Sequence, residues 1–142
     1  MLLAAGMQAP SGGNQRPWEF LVIDDKEIIK RLPEISGPAA PAGRAPLCII
    51  TLGNEDRMKF PELWTHDMGA CCQNILLEAA HLGLGAVWMS IDPTSSRVAK
   101  TRELFDLPEN IKPFSIIAVG YPDEDKKIED RYDETRIHHN KF

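Results

Sequence analysis

The sequence predicts one domain in which strands and helices alternate and stack in layers. Three observations carry this reading. Four runs of strand length are rich in β-branched and aromatic residues, one long stretch places apolar residues at three- and four-residue steps, and Gly, Pro, Asn or Asp separates them. At 142 residues the chain is long enough for a single core and short for two.

Met1 to Ala9 is rich in Ala, Leu and Met and stops at Pro10, which predicts the last turns of a helix. So few residues do not repay helix nucleation, so packing must hold them. Pro10-Ser11-Gly12-Gly13-Asn14-Gln15-Arg16 follows as a polar loop whose adjacent glycines allow positive φ and close approach of the backbone to a ligand. An ordinary connection between a helix and a strand is the plainer reading. Pro17 opens a strand over Trp18 to Ile23.

Asp24 or Asp25 caps a helix through Lys26 to Leu32, with Ile28, Ile29 and Leu32 on one face, and Pro33 ends it. Ser36 to Pro46 holds three prolines, two glycines and four alanines and predicts an irregular connection, either mobile or draped over a neighbour. Leu47 to Leu52 is continuously apolar, the mark of a strand buried on both faces, and Gly53-Asn54 turns the chain. Glu55 to Glu62 is polar, contains Pro61 and predicts a loop.

Met68, Cys71, Cys72, Ile75, Leu76, Ala79 and Leu82 draw one apolar stripe along a helix, which Gly83 terminates. Such a helix lies in the core or meets its own copy in a dimer; periodicity does not separate the two. Ala86 to Ile91 predicts a second buried strand, closed by Asp92-Pro93. Thr94 or Ser95 caps a helix through Arg97 to Phe105, and Leu107-Pro108 stops it. Phe114 to Val119 predicts a third buried strand ending at Gly120-Tyr121-Pro122. The tail from Asp123 to Phe142 mixes both charge signs with Tyr132, Ile137 and Phe142, so it is either solvated or docked through those apolar residues.

A net charge of −5 and a pI near 5.3 argue against a nucleic-acid groove, which needs a concentrated basic face. Leu2 to Ala5 is too short for a leader, and no apolar run reaches bilayer length, so the expected location is cytoplasmic and away from membranes. Cys48, Cys71 and Cys72 stand among apolar residues without CxxC spacing and read as buried hydrophobes. His66 and His81 lie fifteen positions apart and no HxxxH occurs, so no metal site is expected, His138-His139 included.

Pro10-Ser11-x-x-Asn14-x-x-Pro17-Trp18-x-Phe20, preceded by Ala4-Ala5-Gly6-Met7-Gln8-Ala9, resembles the signature of the flavin-dependent nitroreductase family. Asp67 to Asn74, Gly83 to Trp88, Val119 to Pro122 and Arg131 to Phe142 keep that family's order across nearly the whole chain. The resemblance implies an α+β fold, a three-layer α/β/α sandwich whose central sheet is mostly antiparallel or mixed, assembled as a homodimer of the domain-swapped type. It implies a single domain over 1–142, with 123–142 reaching a partner subunit.

The implied chemistry is two-electron reduction through bound FMN, with NADH or NADPH as transient reductant and a small nitroaromatic or quinone as acceptor. A flavin carries the difficult step itself, which accounts for a sequence without an acid, base or nucleophile constellation. Pro10, Ser11 and Asn14 match residues beside the flavin. Arg16 stands where the family commonly has Gln; near the ring's pyrimidine edge its guanidinium would stabilise the anionic reduced form and raise the potential. Met89, Ser90 and Ile91 match the strand whose backbone N–H groups approach the reactive flavin nitrogen, with Ser and Ile where glycines are frequent. Arg131, and after it Lys127, match the cations that reach the flavin phosphate.

The family's Arg-Arg-Ser-x-Arg element, which binds the flavin phosphate and ribityl chain, would precede Met1. The expectation is therefore an N-terminally truncated chain or a misassigned start, or a catalytically impaired or non-catalytic member that binds flavin weakly or not at all.

Overall fold

A computed structural model describes residues 1–35, 39–124, 127 and 129–142. Ser36, Gly37 and Pro38 of the expected irregular connection, and Asp125, Lys126 and Ile128 of the tail, lie outside the described residues.

Among the described residues four α-helices and four strands follow in order, with short 3-10 turns between them: α1 (Leu2–Met7), β1 (Trp18–Ile23), α2 (Lys26–Arg31), β2 (Leu47–Asn54), α3 (Trp64–His81), β3 (Gly85–Ser90), α4 (Ser96–Phe105) and β4 (Ile111–Gly120). The strands form one sheet in the order β1-β2-β4-β3, and every neighbouring pair is antiparallel. Side chains alternate across this sheet. Cys48, Ile50, Leu52, Ile116 and Ala118 face one layer, where they bury against Ile29, Leu32 and Ile35 and are flanked by Val98 and Leu104 of α4. Ile49, Ile117 and Val119 face the other, against Met68, Cys71, Cys72 and Ile75 of α3. The result is the three-layer α/β/α sandwich.

Local chemistry explains the element ends. Asp25 caps α2, its carboxylate accepting from the N–H groups of Glu27 and Ile28 at 2.8 and 3.1 Å. Gly83 at φ +71° follows α3, in the left-handed region that terminates helices. Ser95 stands at the start of α4 but does not cap it with its side chain; its hydroxyl donates to the Asp92 carbonyl at 2.7 Å. Helix α1 has no side-chain cap and is held from outside, as so short a helix requires. A Cβ on Gly6 would lie 2.9 Å from Ile75 Cγ1, and the Asn74 amide donates to the Ala5 carbonyl at 3.0 Å.

One further expectation changes, and one open alternative is decided. Strand β3 is not buried on both faces: among the described residues it pairs with β4 alone, Val87 is 43% exposed, and Ser90 is exposed. An apolar run reveals hydrophobicity but not position in the sheet, and the edge position removes cover from one side. The connection before β2 is draped, not loose, over its described part. Ala39 and Ala42 bury beside Leu32, and a Cβ on Gly43 would fall 2.7 Å from Pro33 Cγ.

The three cysteines are free and fully buried, as read from their neighbours. Burial pushes the Cys48 thiol up to about 11 and the Cys71 thiol up to about 12, and raises that of Cys72 against hydrogen bonds with Ser115 and Thr51 that lower it. Thiolate is the reactive form, so these groups are shielded twice. At pH 8 the native protein will release no colour from a disulfide reagent, and all three thiols will titrate once urea unfolds it. Because the folded thiols hold protons that the unfolded chain releases near pH ~8.5, stability will fall as pH climbs from there towards 11.

Candidate functional site

The loop before β1 is built around two buried polar side chains, Gln15 and Asp67. Gln15 Nε2 donates to Asp67 Oδ2 at 2.5 Å and to the Phe60 carbonyl at 3.2 Å, while Gln15 Oε1 accepts from the Phe60 N–H at 2.9 Å. Asp67 Oδ1 takes the Gly12 N–H at 2.8 Å. Loop, α3 and the segment before α3 are thereby tied at one point. A buried carboxylate without such partners would be costly, so the network specifies the loop's shape.

The glycines serve this packing. A Cβ on Gly12 would lie 2.6 Å from Leu63 Cδ1, and Gly13, at φ +54°, sits against the Phe60 ring. Their close approach is to the protein's own side chains. Downstream, Asn14 and Arg16 also adopt positive φ, 56° and 48°, and the Arg16 N–H donates to Ser11 Oγ at 3.0 Å. Left-handed backbone at non-glycine residues is strained and persists only where the surroundings impose it.

This geometry pins the backbone while leaving Asn14 and Arg16 exposed and Pro10 on the surface. Among the described residues neither the Asn14 amide nor the Arg16 guanidinium has a hydrogen-bond or ion-pair partner. The two line an open recess of about 490 Å³ together with Trp18, Glu19, Arg57 and Lys59. Arg57 pairs with Glu19 at 3.2 Å, whereas Lys59 has no such partner among the described residues.

Met89, Ser90 and Ile91 lie on the opposite edge of the sheet. The Ile91 N–H donates to the Phe114 carbonyl at 2.8 Å, so in the antiparallel alternation Met89 and Val87 face β4, and the N–H groups of Ser90, Trp88 and Ala86 point outward. Beneath that edge lies a recess of about 350 Å³ with apolar walls, Ile35, Val87, Met89 and Ile116. Arg97 stands at its end and donates to the Ser90 carbonyl at 3.3 Å. Two strands separate β1 from β3, roughly 14 Å at the usual spacing, so one chain does not bring the two halves of the expected site together.

The tail holds the remaining candidates. Arg131 is exposed and pairs with Glu129 at 3.0 Å, and Lys127 is exposed. Tyr132, Ile137 and Phe142 are exposed as well, so the described tail residues leave their apolar side chains uncovered by this chain.

Sequence reasoning missed Asp67, Gln15 and Lys59. Asp67 was visible as a lone acid at the head of an apolar stripe, but its partner lies 52 residues away. The donors that were recognised suit a flavin: a hydroxyl, an amide, a guanidinium and outward backbone N–H groups meet a ring edge rich in acceptors.

Comparison with known proteins agrees in extent and in kind. Residues 1–59 and 37–121 match the profile described as the nitroreductase family. A protein of Methanothermobacter thermautotrophicus, provisionally named an NADH dehydrogenase/NAD(P)H nitroreductase, is 40% identical over 141 residues, 99% of this chain and 74% of that one. A crystal structure from Clostridium acetobutylicum, provisionally named an NADH oxidase, superposes with a TM-score of 0.96 at 51% identity, covering 99% of this chain and 86% of that one. An FMN-dependent nitroreductase of Clostridium difficile R20291 superposes with a TM-score of 0.89 at 30% identity, covering 99% and 85%.

Replacing Gln15 by Leu will strand the Phe60 N–H and leave Asp67 with only the Gly12 bond. The expected cost is about 2–4 kcal/mol, read as a lower urea midpoint at unchanged slope.

Proposed function

This chain belongs to the nitroreductase family, and from that premise we propose that it is an FMN-dependent oxidoreductase working as a homodimer. The observation that carries the reading is the pair of donor sets on opposite sheet edges, each open outward, which the family resemblance assigns to the two halves of a flavin site. A second copy of the chain supplies what one chain separates.

When bound, FMN supplies two-electron chemistry, taking hydride from NADH or NADPH and reducing an acceptor. The chain's own residues bind and orient. In this proposal Pro10, Ser11 and Asn14 of one copy hold the ring against the edge formed by Met89, Ser90 and Ile91 of the other. Ser11 Oγ already accepts one bond from the Arg16 N–H, so its proton is free to donate. The outward Ser90 N–H serves as a fixed donor whose cost was met on folding. Arg16 adds a permanent charge that favours an anionic over a neutral ring. The tail, residues 123–142, reaches the partner and brings Arg131 and Lys127 towards the flavin phosphate, burying its exposed Tyr132, Ile137 and Phe142 there.

The acceptors are nitroaromatics or quinones, flat electron-poor rings that suit the apolar walls beneath β3. A flavin-binding member without turnover is the other reading within the family. Among the described residues no helix is long and apolar enough to cross a membrane.

Purified protein loaded with FMN will be yellow, bleach anaerobically with NADH or NADPH, and recover colour with a quinone. Protein that stays colourless after FMN is added overturns the enzyme reading. Asn14→Ala and Ser90→Pro will each weaken flavin binding, the second because Pro has no N–H. Refolded together they will regain a full-affinity site in the mixed dimer, whereas a site contained within one chain gains nothing from mixing.

A further inference from the structure

Two cations in the recess beside β1 are unaccounted for by packing. Glu19 is its one acidic side chain, and that carboxylate already pairs with Arg57 at 3.2 Å and accepts from the Asn54 amide at 3.2 Å. Arg16 and Lys59 remain, in a chain whose net charge is −5. The positive field here is therefore a local arrangement, not a spillover from a basic surface.

Arg16 is also held in place at a cost. Its φ of 48° precedes Pro17, a position where extended backbone is usual, and the Ser11 Oγ bond and the Gln15–Asp67 anchor impose it. Strain that fixes the Arg16 backbone beside the recess is informative when its guanidinium lacks any partner among the described residues. Lys59 is one residue from Phe60, whose backbone carries both Gln15 bonds, so the same anchor positions the second cation.

We propose that Arg16 and Lys59, with the Asn14 amide, form a phosphate-binding subsite in this recess. A planar fork and a point ammonium together match a phosphate's several oxygens, and about 490 Å³ admits the organic group attached to it, with Trp18 in the wall. Two molecules of the proposed reaction carry such a group, the nicotinamide dinucleotide and FMN itself. The five donors of Arg16 leave it able to serve ring and phosphate alike. The inference rests on the flavoprotein reading and adds Lys59 and an anionic subsite to it.

The test uses full-length Lys59→Gln and Arg16→Gln proteins. FMN and riboflavin affinities are read by flavin fluorescence, and KM values are measured for NADPH, NADH and the phosphate-free donor 1-benzyl-1,4-dihydronicotinamide. If the dinucleotide supplies the phosphate, Lys59→Gln will raise KM for NADPH or NADH roughly tenfold or more and leave the phosphate-free donor unchanged. If FMN supplies it, FMN will bind roughly tenfold or more weakly while riboflavin does not change. Either result supports the subsite. Shifts below about twofold for every phosphate-bearing ligand, or equal losses for ligands with and without phosphate, overturn it. Wild-type protein that takes up no flavin fails the flavoprotein reading instead, and wild-type protein that binds flavin while both variants match it fails this inference alone.

Discussion

One buried carboxyl group governs the shape of the candidate site. Asp67 sits on the first turn of α3 with its oxygens directed to Gly12 and Gln15, and everything presented by the loop follows from that anchorage. A polar group so enclosed needs its partners, so the loop has little freedom to take another course. The positive φ values at Gly13, Asn14 and Arg16 are the local consequence. Strain at the loop is offset by hydrogen bonds made across the fold.

The second constraint is the order of strands. β2 and β4 are sheltered by helices on both faces, which leaves β1 and β3 as edges with outward backbone groups. Edges of this kind invite pairing or ligands, and natural proteins seldom leave them idle. Here one edge begins at the pinned polar loop and the other carries the outward Ser90 N–H. The family resemblance placed both beside one flavin, and the sheet keeps them apart within a chain. In the proposed homodimer a second copy reconciles the two, with the exposed tail as its proposed contact.

Much of the fold was legible because its signals are local. Asp25 capping α2, Gly83 closing α3 and the apolar run of β2 each depend on neighbours a few residues away. The edge position of β3 was not legible, since Ala86 to Met89 reads as apolar whether one strand or two flank it. Nor was the role of the paired glycines. Composition suggested approach to a ligand, whereas Leu63 and Phe60 occupy the space a Cβ would need.

By itself the amino-acid sequence determined the elements, their family, the buried state of its cysteines and the identity of the polar loop, because residue type and spacing encode periodicity, capping and turn chemistry. Tertiary structure alone decided which residues meet. Gln15 finds Asp67 across 52 positions, Arg16 and Lys59 share a recess, and two strands stand between the Met89–Ile91 edge and the loop it was grouped with. Those relations are set by how the chain folds back on itself, and separation along a sequence carries no measure of distance in space.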